Sequence, residues 1–138
     1  MRHHRVLRII SKLLIPFIML FALYVQFHGD FGPGGGFQAG VIFASAFILY
    51  SLIFGLENAR NVAPPSIVTK LVAAGIMIYA GTGYAGLLGG GNFLDYGALA
   101  SDPVAGQHLG ILIIEFGVGT TVAASMITIF FLFAGRKR

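Results

Sequence analysis

Cysteine is absent from this 138-residue sequence, which excludes disulfides, thiolate metal sites and iron-sulfur clusters and leaves the redox compartment unread. Charge is scarce. Only 10% of residues are charged against 57% hydrophobic, and the mean hydropathy is +0.86. A soluble domain of that make-up would leave far too much apolar surface in water. The apolar stretches are continuous and lack alternation, which excludes a transmembrane barrel. No Lys-Ser or Lys-Thr follows a glycine loop, so there is no P-loop. Gly34, Gly36 and Ala39 match a loose G-x-G-x-x-A, but they follow an apolar run rather than a strand, outside any dinucleotide-binding context. No small-residue cleavage site follows the first apolar run, so it reads as a retained helix although Arg2, Arg5, Arg8 and Lys12 precede it. A convincing internal repeat is also missing.

What remains is four apolar stretches, which predict helices at about 9–28, 36–56, 66–88 and 107–133. Each reaches the roughly 20 residues that cross about 30 Å of hydrocarbon. The expected fold class is an all-α membrane protein with four transmembrane helices in a single domain, 1–138. The net charge of +4 would suggest nucleic acid in a soluble protein, but its distribution argues otherwise. All nine Lys and Arg fall on one side of the four-helix reading: at the N-terminus, at Arg60 and Lys70, and at Arg136 to Arg138. The connections 28–36 and 89–106 hold Asp30, Asp95 and Asp102 and no base. By the positive-inside rule both termini and the 57–66 loop are cytoplasmic, in a multi-pass protein of the cell membrane. Nucleic acid is not an expected partner; the lipid bilayer is.

Glycine supplies the next layer of expectation. The run from His28 to Gly40, containing Pro33, Gly34, Gly35, Gly36 and Phe37, joins the first two helices with little side-chain bulk, so its backbone should pack closely against something. In lipid, helices associate through small residues and a few polar contacts. Gly36-x-x-x-Gly40 opens helix 2, Gly81-x-x-x-Ala85 lies in helix 3 and Gly106-x-x-x-Gly110 opens helix 4. Gly117, Thr121 and Ala124 follow on one face of helix 4. Internal packing and packing against other membrane subunits both fit these stripes. Ser66, after Pro64-Pro65, is placed to cap helix 3.

Ionisable residues at membrane depth are the candidates for chemistry. Glu115 lies in an apolar stretch of helix 4, about 9 Å below its expected outer end at about 1.5 Å per residue. A carboxylate there must be protonated, paired or facing a hydrated or protein-lined path. His108, seven residues earlier, lies two turns above on nearly the same face, and the pair resembles the first stations of a proton or cation route. The competing reading makes Glu115 a structural acceptor and His108 an interfacial residue. Lys70 can snorkel to the cytoplasmic interface or serve an ion relay. His28 and Asp30 flank the first turn, where Asp30 either draws cations or caps the loop, capping being preferred. His3 and His4 belong to a basic tail suited to anionic lipid. Tyr24, Tyr50, Tyr79 and Tyr84 read as packing or belt residues.

The segment His28 to Gly40, with its Pro33-Gly34-Gly35-Gly36-Phe37 centre, together with His108 to Ala123 around Gly110, Glu115 and Gly117, resembles the B subunit of multisubunit Mrp-type (also called Mnh) sodium/proton antiporters. Similar small subunits occur in the membrane arms of energy-converting hydrogenases. The resemblance covers nearly the whole chain. It implies a small membrane subunit without enzymatic chemistry or cofactor, working with other subunits of a cation/proton antiporter, with Na+ and H+ as the transported ions. Large partner subunits would carry proton translocation. Two other readings differ in class: a purely structural assembly subunit, and a small self-assembling exporter, which usually places its carboxylate in helix 1. Helix 1 here offers only Gln26 and His28 at its outer end.

Overall fold

The computed structural model describes residues 2–136, with side chains from His4 onward; the expectations placed on the side chains of Arg2 and His3, and on Lys137 and Arg138, lie outside the described residues. Its elements are α1 (Arg2–Phe27), α2 (Gly36–Phe54), α3 (Leu56–Val62), α4 (Pro65–Leu88), a short 3-10 turn (Tyr96–Leu99) and α5 (Pro103–Ala134). Four of these helices are long and apolar enough to cross a membrane, and the chain is a multi-pass membrane protein.

The helices differ from the sequence expectation mainly at their ends. The basic N-terminal stretch is helical, so α1 runs about 39 Å at about 1.5 Å per residue and its charged first turns extend beyond a hydrocarbon layer of about 30 Å. Helix 2 stops at Phe54 rather than 56. There Gly55 takes φ 98°, a left-handed conformation that glycine adopts without a Cβ penalty, and its N–H still reaches the Ser51 carbonyl. The expected 57–66 loop is largely the short helix α3. Ala59 of α3 is fully buried, and Arg60 lies against the end of α5, donating from Nη2 to the Phe131 carbonyl at 3.1 Å. That carbonyl also accepts from the Gly135 N–H at 3.0 Å, so Arg60 adds a second bond at the C-terminal end of α5.

Ser66 does not cap α4. The helix begins at Pro65, whose fixed φ suits a first helical position, and no side chain caps it. The last helix starts four residues earlier than expected, because Asp102 accepts from the Val104 and Ala105 N–H groups at 3.4 Å each and Pro103 follows as the first helical residue.

α2 and α5 run in the same direction and pack on each other. α1 packs on α2 and α4 on α5, while α1 meets α5 only lightly, so the four long helices form an open arc in the order α1, α2, α5, α4. A core of Ala44, Phe47, Ala59, Val68, Ala124, Ile127 and Phe131 lies toward the end that carries the termini. Large apolar side chains such as Phe17, Leu20, Met77 and Leu132 point outward, as suits a chain whose solvent is hydrocarbon.

Close packing falls at glycines. A Cβ on Gly75 would collide with Thr121 Oγ1 and come within 2.5 Å of the Gly117 carbonyl, so α4 and α5 cross with backbones in contact. Thr121 Oγ1 donates to the Val72 carbonyl at 3.3 Å across that crossing. A Cβ on Gly40 would lie 2.6 Å from the Gly119 carbonyl, which marks the α2–α5 crossing. The Gly81–Ala85 pair behaves otherwise. Both residues are exposed, and nothing lies within 4 Å of a Cβ built on Gly81, so that stripe packs against nothing in this chain.

Candidate functional site

The glycine-rich segment between α1 and α2 folds over Glu115. A Cβ on Gly29 would lie 2.8 Å from Glu115 Oε2, and one on Gly35 would lie 2.9 Å from Oε1. One on Gly36 would collide with the Glu115 backbone carbonyl oxygen. Residues without side chains at 29, 35 and 36 therefore let the turn sit on the carboxyl group and on the α5 backbone beneath it. Gly34 holds φ 131°, and a side chain there would meet Val25. The partner expected for this low-bulk backbone is the α5 turn that carries Glu115.

This contact also sets the level of Glu115. It lies beside Gly36, the first residue of α2, so about 28 Å of helix separates it from Ala134 at about 1.5 Å per residue. Against a hydrocarbon layer of about 30 Å, the carboxyl stands near the boundary at the glycine-turn end. The first turns of α5 run beyond that level beside the 3-10 turn. There Gly106 and Gly110 accommodate the Tyr96 carbonyl and ring, so their small-residue stripe takes a loop side chain rather than another helix. Burial, followed by the neighbouring Tyr79, pushes the Tyr96 phenol above its ordinary value.

His108 and Glu115 are linked through Asp30. His108 Nδ1 lies 3.1 Å from Asp30 Oδ2, an ion pair when the imidazole is protonated, and Asp30 follows Gly29, which lies against the Glu115 carboxyl. The His108 side chain is 64% exposed and that of Asp30 33%, so the pair faces the medium while Glu115 is half-buried behind it. The preferred loop-capping role of Asp30 is thus replaced by a long-range contact spanning 78 positions in sequence. Chemically, the cluster offers an imidazole, an exposed carboxylate and a half-buried carboxylate. Among the described residues no three His, Asp or Glu side chains converge tightly enough to hold a metal ion.

Other candidates are placed elsewhere. The His28 ring stacks on Tyr24 with centroids 4.6 Å apart and tilts against Phe31 at 5.7 Å, joining an exposed aromatic ladder. Lys70 is exposed near the start of α4, at the opposite end of the arc from Glu115. Pro33 and Phe37 are exposed, Phe37 at 63%, and contribute no internal packing. Gly117 and Thr121 serve the α4 crossing. Gln26 stands out in the sequence only by its position, yet it is 5% exposed and its Nε2 has no hydrogen-bond partner. The one signal the sequence offers for it is polarity one residue short of the end of an apolar run.

Known proteins resemble this chain over most of its length. The family of domains related to the MnhB subunit of Na+/H+ antiporter matches residues 6–128, which include most of α1, the glycine turn and Glu115. A Staphylococcus haemolyticus protein described as antiporter subunit mnhB2 is 35% identical over 135 residues, covering 96% of this chain and 95% of its own. The B subunit of the Na(+)/H(+) antiporter of Alkalihalophilus pseudofirmus is 31% identical over 126 residues, covering 84% and 87%. An mnhB2 protein of Staphylococcus aureus strain Newman is 33% identical over 135 residues, covering 96% and 95%. A match over most of the chain, with relatives aligned nearly end to end, means that the chain belongs to the family of domains related to the MnhB subunit of Na+/H+ antiporters.

Proposed function

We propose that this chain is the B-type membrane subunit of a sodium/proton antiporter, and that Glu115, Asp30 and His108 line the glycine-turn mouth of its ion path. It sits in the cell membrane with both termini and α3 cytoplasmic. The charge pattern supports that orientation: Arg5, Arg8, Lys12, Arg60, Lys70 and Arg136 gather at the terminal end, whereas Asp30, Asp95 and Asp102 occupy the other.

The observation that carries the reading is the half-buried Glu115 carboxyl, roofed by glycines whose smallest substitution would touch it and flanked on the same turn by a surface Asp30–His108 pair. An exposed imidazole and carboxylate exchange protons or attract cations from water, and a half-buried carboxylate one step inward receives them. A bare cation cannot cross lipid, and one chain with this few polar groups cannot ligate it throughout. Other subunits of the complex complete the path, and this chain supplies no enzymatic chemistry of its own. Lys70 belongs to the cytoplasmic interface, where its stem follows the helix and its ammonium reaches water.

A structural reading draws on the same glycine contacts, with the Glu115 carboxyl serving only as a latch that holds the turn on α5. The two separate in sodium-dependent proton exchange measured in inverted vesicles from antiporter-deficient cells carrying the complete complex. Glu115→Gln keeps shape and hydrogen-bonding capacity, so assembly stays at the wild-type level. An ion path predicts abolished or pH-shifted exchange; unchanged exchange at equal assembly assigns Glu115 to the latch.

A further inference from the structure

α1 outruns α2 at the terminal end. Gln26 of α1 and Gly36 of α2 both reach Gly119, so the two helices stand level there, and about 27 Å along each, at about 1.5 Å per residue, come Arg8 and Phe54. At Gly55, with φ 98°, the chain leaves the α2 axis and runs as α3 toward α5, where Arg60 meets the Phe131 carbonyl. The face of α1 that packs on α2 is marked by the buried Ser11 and Ile15, and Arg8, Leu7 and His4 continue that face at helical spacing. These first turns therefore reach past the end of α2. A notch of about 280 Å³ opens there, lined by His4, Leu7, Arg8, Leu52 and Ile53.

The notch has two chemistries. Leu7, Leu52 and Ile53 supply hydrocarbon, and Leu52 is 67% exposed. His4 and Arg8, one helical turn apart, supply donors. The Arg8 guanidinium carbon stands 5.5 Å from the centroid of the Phe54 ring, a cation–π contact that holds its head over the end of α2. Among the described residues neither Arg8 nor His4 pairs with a carboxylate. Glu57 is the one acidic side chain at this end, against nine Lys and Arg in the sequence. Charge therefore asks for an anion, and depth selects which. Glu115 and Gly36 mark one boundary of a hydrocarbon layer of about 30 Å, so Arg8 stands at the other, where lipid phosphates begin. A phospholipid brings a negative phosphate to that level with its own methylenes beside it. An acidic protein segment or a free phosphate brings the charge without the hydrocarbon, and the cationic head of a zwitterionic lipid is repelled by the same basic end.

We propose that the notch between the start of α1 and the end of α2 binds an anionic phospholipid, its phosphate on Arg8 and His4 and the first methylenes of an acyl chain against Leu7, Leu52 and Ile53. Guanidinium and phosphate match as a fork of donors to a pair of oxygens, which makes Arg8 the anchor. The proposal needs the membrane-spanning fold and not the ion path at Glu115.

The test uses membranes that hold the chain together with its complete complex. The probe is a phosphatidylglycerol analogue with a diazirine near the head of one acyl chain, and the matching phosphatidylcholine analogue is the reference. The expected result is labelling of this chain at the peptides that hold Leu7 and Leu52, stronger with phosphatidylglycerol and competed by the unlabelled lipid but not by soluble glycerophosphoglycerol. Arg8→Gln removes a charge-assisted contact to phosphate and should lower the labelling about tenfold or more. Arg5→Gln, in the same basic stretch but off the notch, acts only through the screened surface field and should lower it no more than about threefold. An equal loss in both variants means diffuse attraction and overturns the site, as does equal labelling by the two analogues. Absence of label on this chain, the result if another subunit fills the notch, overturns it too. Competition by the soluble head group assigns the notch to a free phosphate ester and overturns the lipid. Should Arg8→Gln reduce the amount of chain in membranes, Leu52→Glu takes its place: from an exposed position its carboxylate answers Arg8 within the chain and brings labelling down to the phosphatidylcholine level. Labelling that stays above that level overturns the proposal.

Discussion

The two flanks of α5 are built from the same kind of residue and end differently. Toward α4, Gly75, Gly117 and Thr121 bring two backbones into contact, and Tyr96 seals the glycine-turn end of that seam against Gly106 and Gly110. Toward α1, only the Gln26 amide reaches α5, at Gly119, and beyond it Ala123 lines an open cleft. Small residues alone therefore do not tell which helix faces close within the chain. What separates the flanks is whether a complementary backbone from the same chain arrives, and α1 is held on α2 too far round to supply it. Gly81 makes the same point on α4, since its stripe looks as suited to packing as that of Gly75 and meets nothing.

The comparison breaks most severely at Gly75. Gly75→Leu puts a side chain into the Gly117 backbone and Thr121, neither of which can yield without parting α4 from α5, and should cost about 3 kcal/mol or more. Thermal denaturation of the purified complex and the yield of the chain in membranes measure it. Yield close to wild type would mean that the α4–α5 seam is not closed by backbone contact.

Gly29→Ala sharpens the contrast between a rigid seam and a working cradle. The atoms nearest its methyl would be those of the Glu115 carboxyl, the far end of a flexible side chain, from 2.8 Å. Stability should change by less than about 1 kcal/mol, as for a surface substitution with one yielding neighbour. The exchange activity should fall or its pH optimum should move, because the carboxyl is displaced. A pH profile identical to wild type counts against the ion-path role.

Tyr96 gives the smallest effect. Burial holds its phenol proton more tightly than the unfolded chain does, so the stability it contributes is present below the ordinary tyrosine range and declines as pH rises through about 10 and above. Tyr96→Phe should flatten the alkaline limb of thermal stability of the complex without moving its neutral value. An unaltered alkaline limb would mean that the Tyr96 seal does not couple to protonation.

Much of the fold is readable before any coordinates because hydrocarbon imposes a one-dimensional rule. A span needs length and apolarity, and both are properties of consecutive residues. Local chemistry is nearly as open: Asp102-Pro103 carries the start of α5 on its face, a signal the apolar run alone overlooks by four residues. Ser66 shows the limit, because Pro65 already supplies a first helical residue and the chain has no need of the hydroxyl. The break at Gly55 shows another, since a glycine in an apolar run is invisible until its φ is known.

The candidate site divides in the same way. Sequence by itself singled out Glu115, His108 and Asp30, because ionisable groups near or within apolar runs are costly and few. It also determined that the glycine segment must lie close to something. Only the tertiary structure decided that this something is Glu115, that Asp30 joins His108 across 78 positions, and that Gln26 is buried with a side-chain donor left unpartnered. The physical reason is that spans are specified by composition along the chain. Which faces meet, and which stay open, depends on backbone approach between segments far apart in sequence, where a single missing Cβ sets the distance.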